Sequence, residues 1–541
     1  MRQTRIATFA AGAAVVALTV AGCSPDDTAN DDGPVTLNLT IDQDMETLFP
    51  GDSGNADNIA ILDVVYDGLV RYDSETTEPY NYVAESIEPN DDNTVWTIKI
   101  KPDLTFQNGE PVDAEAFARS WNYTASHTEL YSNYFFERFK GYEEMQDELD
   151  DEGNIVEENP LEELSGLKVV DDLTLEVTLN APFAGFATML GYTGFFPVAE
   201  ECLEDVEACS VKPIGNGPFQ ITEWEQGVAV DAERWTDYPL DETPETIDAI
   251  DWREYSGASS WSDFEAGDID VSYPAPADLA AAQEDPELSE RLAEAPGAAL
   301  TYVAFPLYKE GPWQDKEFRK AISLAIDRES IIDELSGGLA TPADSWVVPD
   351  GVPGGEAGTC EWCTFDPEAA KAALEKAGGW PEGETLTIGL SDDETEIEYF
   401  KAIGDSIEAN LDIPYELKPN PDFFTIRSEQ GFDGAFRNNW FPDYPLNENY
   451  LSFYAVGEKG AGNFGWYSKE FEDKLAEGDQ AATLDEAVVK YQEAEAILAE
   501  EFPTIPFRFN AGAEYYSERL DNVILDPFSG AVRVRDLTVS E

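Results

Sequence analysis

Apolar and polar residues alternate from Val35 to Ile41, the period of a strand buried on one face. The pattern then changes. Ile59, Leu62, Val65 and Leu69 recur at helical spacing, which predicts a helix over 58–69 with Gly68 near its end. Trp96, Ile98 and Ile100 put a second strand over 94–100. Asp113 is placed to cap a helix on which Phe117 and Trp121 lie four apart. Two hairpins follow. One flanks Asp171 and Asp172 (168–170 with 174–179), the other joins 218–221 to 228–232, and 249–252 reads as a further strand.

The later half carries longer helical patterns: 318–327, 397–411 and 485–501. Asp366, Pro367 and Glu368 supply an N-cap, a proline at the first helical position and an acid in the first turn of another helix, which ends at Gly378. Strands at 386–390 and 505–509 are interleaved with these helices. Residues 142–166 read as an acidic surface insertion. With strands and helices mixed throughout and no short repeat, the expectation is an α/β fold of more than one lobe.

At 541 residues the chain exceeds a single ordinary core. Its 42% hydrophobic and 12% aromatic content is ample for folded domains. The net charge of −80 makes nucleic acid and anionic membrane surfaces poor partners, and fits a solvated coat suited to a saline medium.

Arg2 and Arg5 precede an apolar run from Ile6 to Val20, which is too short to span a bilayer comfortably. The sequence Val20-Ala21-Gly22-Cys23 resembles a bacterial lipoprotein signal. That implies removal of residues 1–22 and a lipid on Cys23, with 23–34 as an acidic tether. An ordinary signal peptide with an incidental cysteine is the alternative. In an exported protein, Cys202 with Cys209 and Cys360 with Cys363 read as two local disulfides. The rival readings are a metal site, for which the single histidine His127 is poor supply, and a redox Cys-x-x-Cys, which lacks the βαβ setting.

Nucleophile elbows, zinc motifs, P-loops and dinucleotide fingerprints are all missing from the sequence, and His127 reads as a surface residue. One stretch draws attention instead. From Arg437 to Asn447, two prolines three apart forbid a continuous helix, and Trp440, Phe441 and Tyr444 surround the lone carboxylate of Asp443. Such a carboxylate is costly unless a cation or several donors satisfy it; the plainer reading is a turn aspartate.

Several blocks together resemble the extracytoplasmic solute-binding proteins of peptide-type ABC importers, the oligopeptide- and dipeptide-binding family 5. They are Tyr66-Asp67-Gly68-Leu69-Val70-Arg71-Tyr72-Asp73; Thr105-Phe106-Gln107-Asn108-Gly109-Glu110-Pro111-Val112; Pro213-Ile214-Gly215-Asn216-Gly217-Pro218-Phe219; and the run from Phe318 to Arg328. Gly141-Tyr142 and Leu164-Ser165-Gly166 look like the oligopeptide branch.

The resemblance implies a two-lobed, hinged, type II binding-protein fold with an extra small domain on the first lobe. The first lobe would combine 35–58, 182–300 and 507–541; the added domain would be 59–181, and the second lobe 301–506. It implies a receptor without catalysis or cofactor. That receptor would be monomeric, held at the extracytoplasmic face of the cell membrane only by its lipid, and would deliver an extended peptide to permease subunits driven by cytoplasmic ATPases. The alternatives are the same receptor class for a glycan or opine-like solute, and a secreted hydrolase.

By resemblance Asp443 accepts the ligand's α-ammonium within the block of Trp440, Phe441 and Tyr444. Arg437 either faces the ligand's carboxylate end or makes a structural ion pair, and Asn439 narrows the pocket. Tyr131 and Tyr134 approach the peptide backbone, while Asn55, Ala56, Ser272 and Tyr273 fall on ligand-facing loops.

Overall fold

The computed structural model describes residues 34–42, 45–149, 155–157, 159, 161–240, 246–255, 259–455 and 464–540. Cys23, the expected signal segment, nearly all of the tether and part of the acidic insertion lie outside these residues.

Three sheets organise the rest. In the first, the alternating strand Thr36–Ile41 pairs in parallel with Ala249–Glu254, and the antiparallel hairpin Phe219–Glu225/Ala229–Arg234 extends the sheet. Its inward residues, Leu37, Leu39, Ile41, Phe219, Ile250 and Trp252 among them, bury a core together with Ile61, Leu62, Val64 and Val65 of the helix Ala56–Val65.

That packing bears on two expectations and corrects the first. The helix stops at Val65, because the next residues leave as Tyr66-Asp67-Gly68 toward the strand Val70–Tyr72; a Cβ on Gly68 would sit 2.6 Å from the Phe196 ring, so only glycine fits this turn. The boundary expected at 58/59 falls inside this helix, whose buried face packs on the first sheet.

The second sheet is antiparallel, in the order Ala84–Pro89, Val95–Ile100, Thr174–Thr178, Leu167–Asp171. The helix Ala114–Ser126 packs beside it. Asp113 caps this helix by accepting the Ala116 N–H at 3.0 Å. Trp121 is fully buried, its ring among those of Phe117, Phe136, Phe139 and Phe195, and its indole N–H donates to the Phe195 carbonyl at 2.9 Å. Truncating such a residue to alanine costs about 3–5 kcal/mol.

The third sheet has seven strands. Strands Leu292–Ala304 and Ile505–Tyr516 run antiparallel over much of their length. Ala435–Trp440 pairs antiparallel with Leu292–Ala304, then come Leu386–Leu390 and Tyr415–Pro419 in parallel. The boundaries expected at 300/301 and 506/507 fall inside these two continuous strands.

The structure places Cys202 and Cys209, and Cys360 and Cys363, as bonded pairs with Cα atoms 5.3 Å apart in each. No helix among the described residues is long and apolar enough to cross a membrane.

Candidate functional site

The segment that ends the strand Ala435–Trp440 forms one wall of a cleft. Phe436 and Asn438 point into the second lobe with Trp440, whose ring packs 4.6 Å from Phe453. The strand period sends Arg437 and Asn439 to the other face. Pro442 breaks the ladder, and the short helix Asn447–Ser452 turns the chain back.

Asn449 on that helix holds the loop. Its Oδ1 accepts from the Trp440 indole at 3.1 Å and from the Asp443 backbone N–H at 2.9 Å, and its Nδ2 donates to Asp443 Oδ2 at 3.3 Å. From the helical turns Tyr131–Arg138, the Tyr134 hydroxyl donates to Asp443 Oδ1 at 2.8 Å. Burial outweighs both hydrogen bonds and, with Glu448 nearby, pushes the Asp443 carboxyl up to about 6.

A cavity of about 520 Å³ opens beside Asp443. Gly54, Asn55, Ala56 and Tyr131 line one side, Phe441 and Pro442 another. Tyr66, Tyr72, Tyr192, Phe196 and Phe528 form an aromatic lining. Five charged side chains face it: Asp63, Arg71, Asp443, Asp526 and Arg533. Four are paired. Arg71 Nη2 donates to both oxygens of Asp63 at 2.8 and 2.9 Å, and Arg533 binds Asp526 at 2.8 Å and Asp536 at 2.7 Å. Among the described residues Asp443 forms no ion pair, and its partners are the neutral Tyr134 and Asn449.

The other expected residues take different positions. Asn55 lines the cavity through the loop it ends, while its side chain caps the helix Ala56–Val65 by accepting the Asn58 N–H at 2.9 Å. Trp440 and Tyr444 brace the site instead of lining it; the buried Tyr444 donates its hydroxyl to Glu448 Oε2 at 2.7 Å. Arg437 adopts the ion-paired alternative, its Nε 3.3 Å from Glu396 Oε2, while Arg508 Nη2 donates to Glu396 Oε1 at 2.6 Å. Two guanidiniums on one carboxylate leave that end of the strand with an excess positive charge. Asn439 is half-buried, with its N–H on Asn438 Oδ1 at 3.0 Å.

Ser272 and Tyr273 do not join this cavity. The Ser272 hydroxyl is buried against Ser260 Oγ at 2.7 Å, and Tyr273 donates to the Gly337 carbonyl. This one segment, the strand Val271–Ser272 and the residue after it, is committed to holding neighbouring segments together.

Sequence reasoning missed a second set of contacts, between residues 77–138 and residues 351–481. Arg138 Nη2 lies 2.7 Å from Glu448 Oε1, Asn93 Nδ2 donates to the Ala481 carbonyl at 2.6 Å, and the Thr77 hydroxyl donates to the Gly351 carbonyl at 3.0 Å. Glu448 and Asp479 together hold the Arg138 guanidinium pKa above its usual value; burial pushes Asp479 itself up to about 7. No local pattern signals an ion pair between residues 310 apart.

The profile of the family "Bacterial extracellular solute-binding proteins, family 5 Middle" matches residues 78–462. The chain belongs to this family. It is a solute-binding protein and not an enzyme. The chain is 25% identical to the dipeptide-binding protein DppE of Bacillus subtilis, over 86% of its own length and 85% of the relative's. It is 23% identical to the oligopeptide-binding protein OppA of the same organism, over 93% and 92%. Among solved structures it superposes on HbpA2 of Haemophilus parasuis with a TM-score of 0.77 at 22% identity, covering 94% of this chain and all of the other. The murein tripeptide binding protein MppA of Escherichia coli gives 0.72 at 21%, covering 94% and 99%. These likenesses establish the α/β, two-lobed type II binding-protein fold.

Proposed function

We propose that the protein is the peptide receptor of an ABC importer, capturing extended peptides between its lobes with the ligand's α-ammonium on Asp443. The observation that carries this reading is the charge inventory of the cavity: among the described residues each arginine there is committed to aspartates, and Asp443 is the carboxylate without a cation. A ligand ammonium supplies that missing charge. The names of the dipeptide- and oligopeptide-binding relatives agree with it.

In this reading the lobes are those expected from the sequence, with the first now including the whole helix Ala56–Val65. They close about the strands Leu292–Ala304 and Ile505–Tyr516. Tyr131, Tyr134, Phe441, Asn55 and Ala56 flank the bound backbone; Trp440, Tyr444 and Asn439 shape the wall behind it. Arg437 and Arg508 stay on Glu396, and their excess positive charge favours the ligand's carboxylate end. Lipid on Cys23 holds the receptor at the membrane, both cysteine pairs are oxidised, and closed protein hands its peptide to the permease.

Asp443→Asn tests the anchor. Removing one partner of a buried charge pair costs about 2–5 kcal/mol, or roughly 30- to 4,000-fold in affinity by titration calorimetry. N-acetylated peptides are expected to bind the wild type poorly, with little further loss on Asp443→Asn. Equal binding of free-amine peptides by variant and wild type would return Asp443 to the role of a turn residue.

A further inference from the structure

If Asp443 holds an α-ammonium, chemistry dictates where the first side chain must go. The nitrogen is one bond, about 1.46 Å, from Cα, so the first side chain departs from the anchor itself. The space at the anchor is the 520 Å³ cavity, within the 300–1,000 Å³ range of sites that enclose small ligands.

Its wall is built to leave that space open. A Cβ on Gly191 would lie 2.5 Å from the Tyr72 ring, one on Gly68 2.6 Å from the Phe196 ring, and one on Gly54 2.6 Å from the Tyr131 ring. At all three positions an aromatic ring lies directly on the backbone. A side chain there would drive its ring toward the cavity. The arginines in the wall are no use to an acid. Arg71 and Arg533 are already bonded to Asp63, Asp526 and Asp536, so an acidic side chain would lose its hydration without gaining a free cation.

We propose that this cavity receives the ligand's first side chain, and that the protein selects peptides beginning with a large apolar or aromatic residue over those beginning with an acidic one. The inference rests on the amine-anchor reading and adds a specificity to it. Burial of a large apolar side chain is expected to be worth roughly 10- to 100-fold in affinity.

The test is titration calorimetry of the purified protein with Phe-Gly-Gly, Gly-Gly-Gly, Asp-Gly-Gly and Gly-Gly-Phe. Phe-Gly-Gly is expected to bind roughly 10- to 100-fold more tightly than Gly-Gly-Gly. Asp-Gly-Gly should bind more weakly than either, and Gly-Gly-Phe should lose the advantage because its ring is far from the amine. Ala60→Trp, which fills the cavity from its helical wall, should abolish the preference for Phe-Gly-Gly while leaving Gly-Gly-Gly within about threefold. Equal affinities for Phe-Gly-Gly, Gly-Gly-Gly and Gly-Gly-Phe overturn the inference, and they do so in the wild type, without relying on a variant that must fold. In that outcome a loss of all three on Asp443→Asn would leave the amine anchor standing. Failure of every peptide to bind would overturn both.

Discussion

Asp443 and Glu448 stand five residues apart on the same wall of the cleft, and the chain treats them oppositely. Glu448 is buried, with Arg138 reaching it from 310 residues away in the chain and Tyr444 donating to its other oxygen. Asp443 is half-buried, bonded to the neutral Tyr134 and Asn449, and raised to about 6. In a sequence with 32 basic and 112 acidic residues, cations are scarce. Spending one on Glu448 while withholding one from Asp443 distinguishes a contact that holds the molecule together from one awaiting a partner from outside.

Breaking the Arg138–Glu448 pair is the harshest way to test that distinction. Removing one partner of a buried pair costs about 3–5 kcal/mol, and the partial exposure of Arg138 puts Glu448→Gln near the lower end. Chemical denaturation should show this loss, and Arg138→Met with Glu448→Gln should lose less than the sum of the two singles. Strict additivity would mean that the two residues act independently.

The anchor itself should report through pH. With the free carboxyl near 6 and a ligand ammonium favouring its ionised form, affinity falls about tenfold per unit below pH 6. It should fall again above about pH 8 as the peptide's own amine deprotonates, near 7.7–8.0. Calorimetry from pH 4.5 to 9 checks this bell, and a flat acid limb would remove Asp443 from the binding equilibrium.

A smaller effect separates the two carboxylates without ligand. The folded Asp443 pKa lies above its unfolded value, so this residue erodes stability as pH rises from about 4 to about 6 and contributes a constant penalty above that. Asp443→Asn should therefore stabilise the ligand-free protein at pH 7.5, by on the order of 1 kcal/mol, and make no difference below about pH 4. The sign is opposite to that for Glu448→Gln. The mildest test is salt: with −80 charges, the melting temperature should rise modestly from low to moderate NaCl.

Legibility in the sequence followed the range of the interaction. Asp113 and Asp366 were readable as caps because a cap closes over three residues, and both accept the expected backbone N–H. The strand Val95–Ile100 showed its buried face in the alternation of Trp96, Ile98 and Ile100. The strand Leu292–Ala304 gave no such signal, because Pro296, Gly297 and a run of alanines carry little strand preference. Pairing with Ile505–Tyr516 and Ala435–Trp440 makes it a strand. The same pairing extends the expected 505–509 strand to Tyr516.

By itself the sequence determined the mixture of helices and strands, the family, and the singular position of Asp443 among Trp440, Phe441 and Tyr444. It could not say which acids find a cation. Arg138 meets Glu448 across 310 residues, Arg533 rather than a ligand meets Asp526, and Arg508 joins Arg437 on Glu396. Only the tertiary structure decided these, because periodicity and capping are properties of neighbours in the chain. Charge compensation depends on which distant segments the fold brings within about 4 Å.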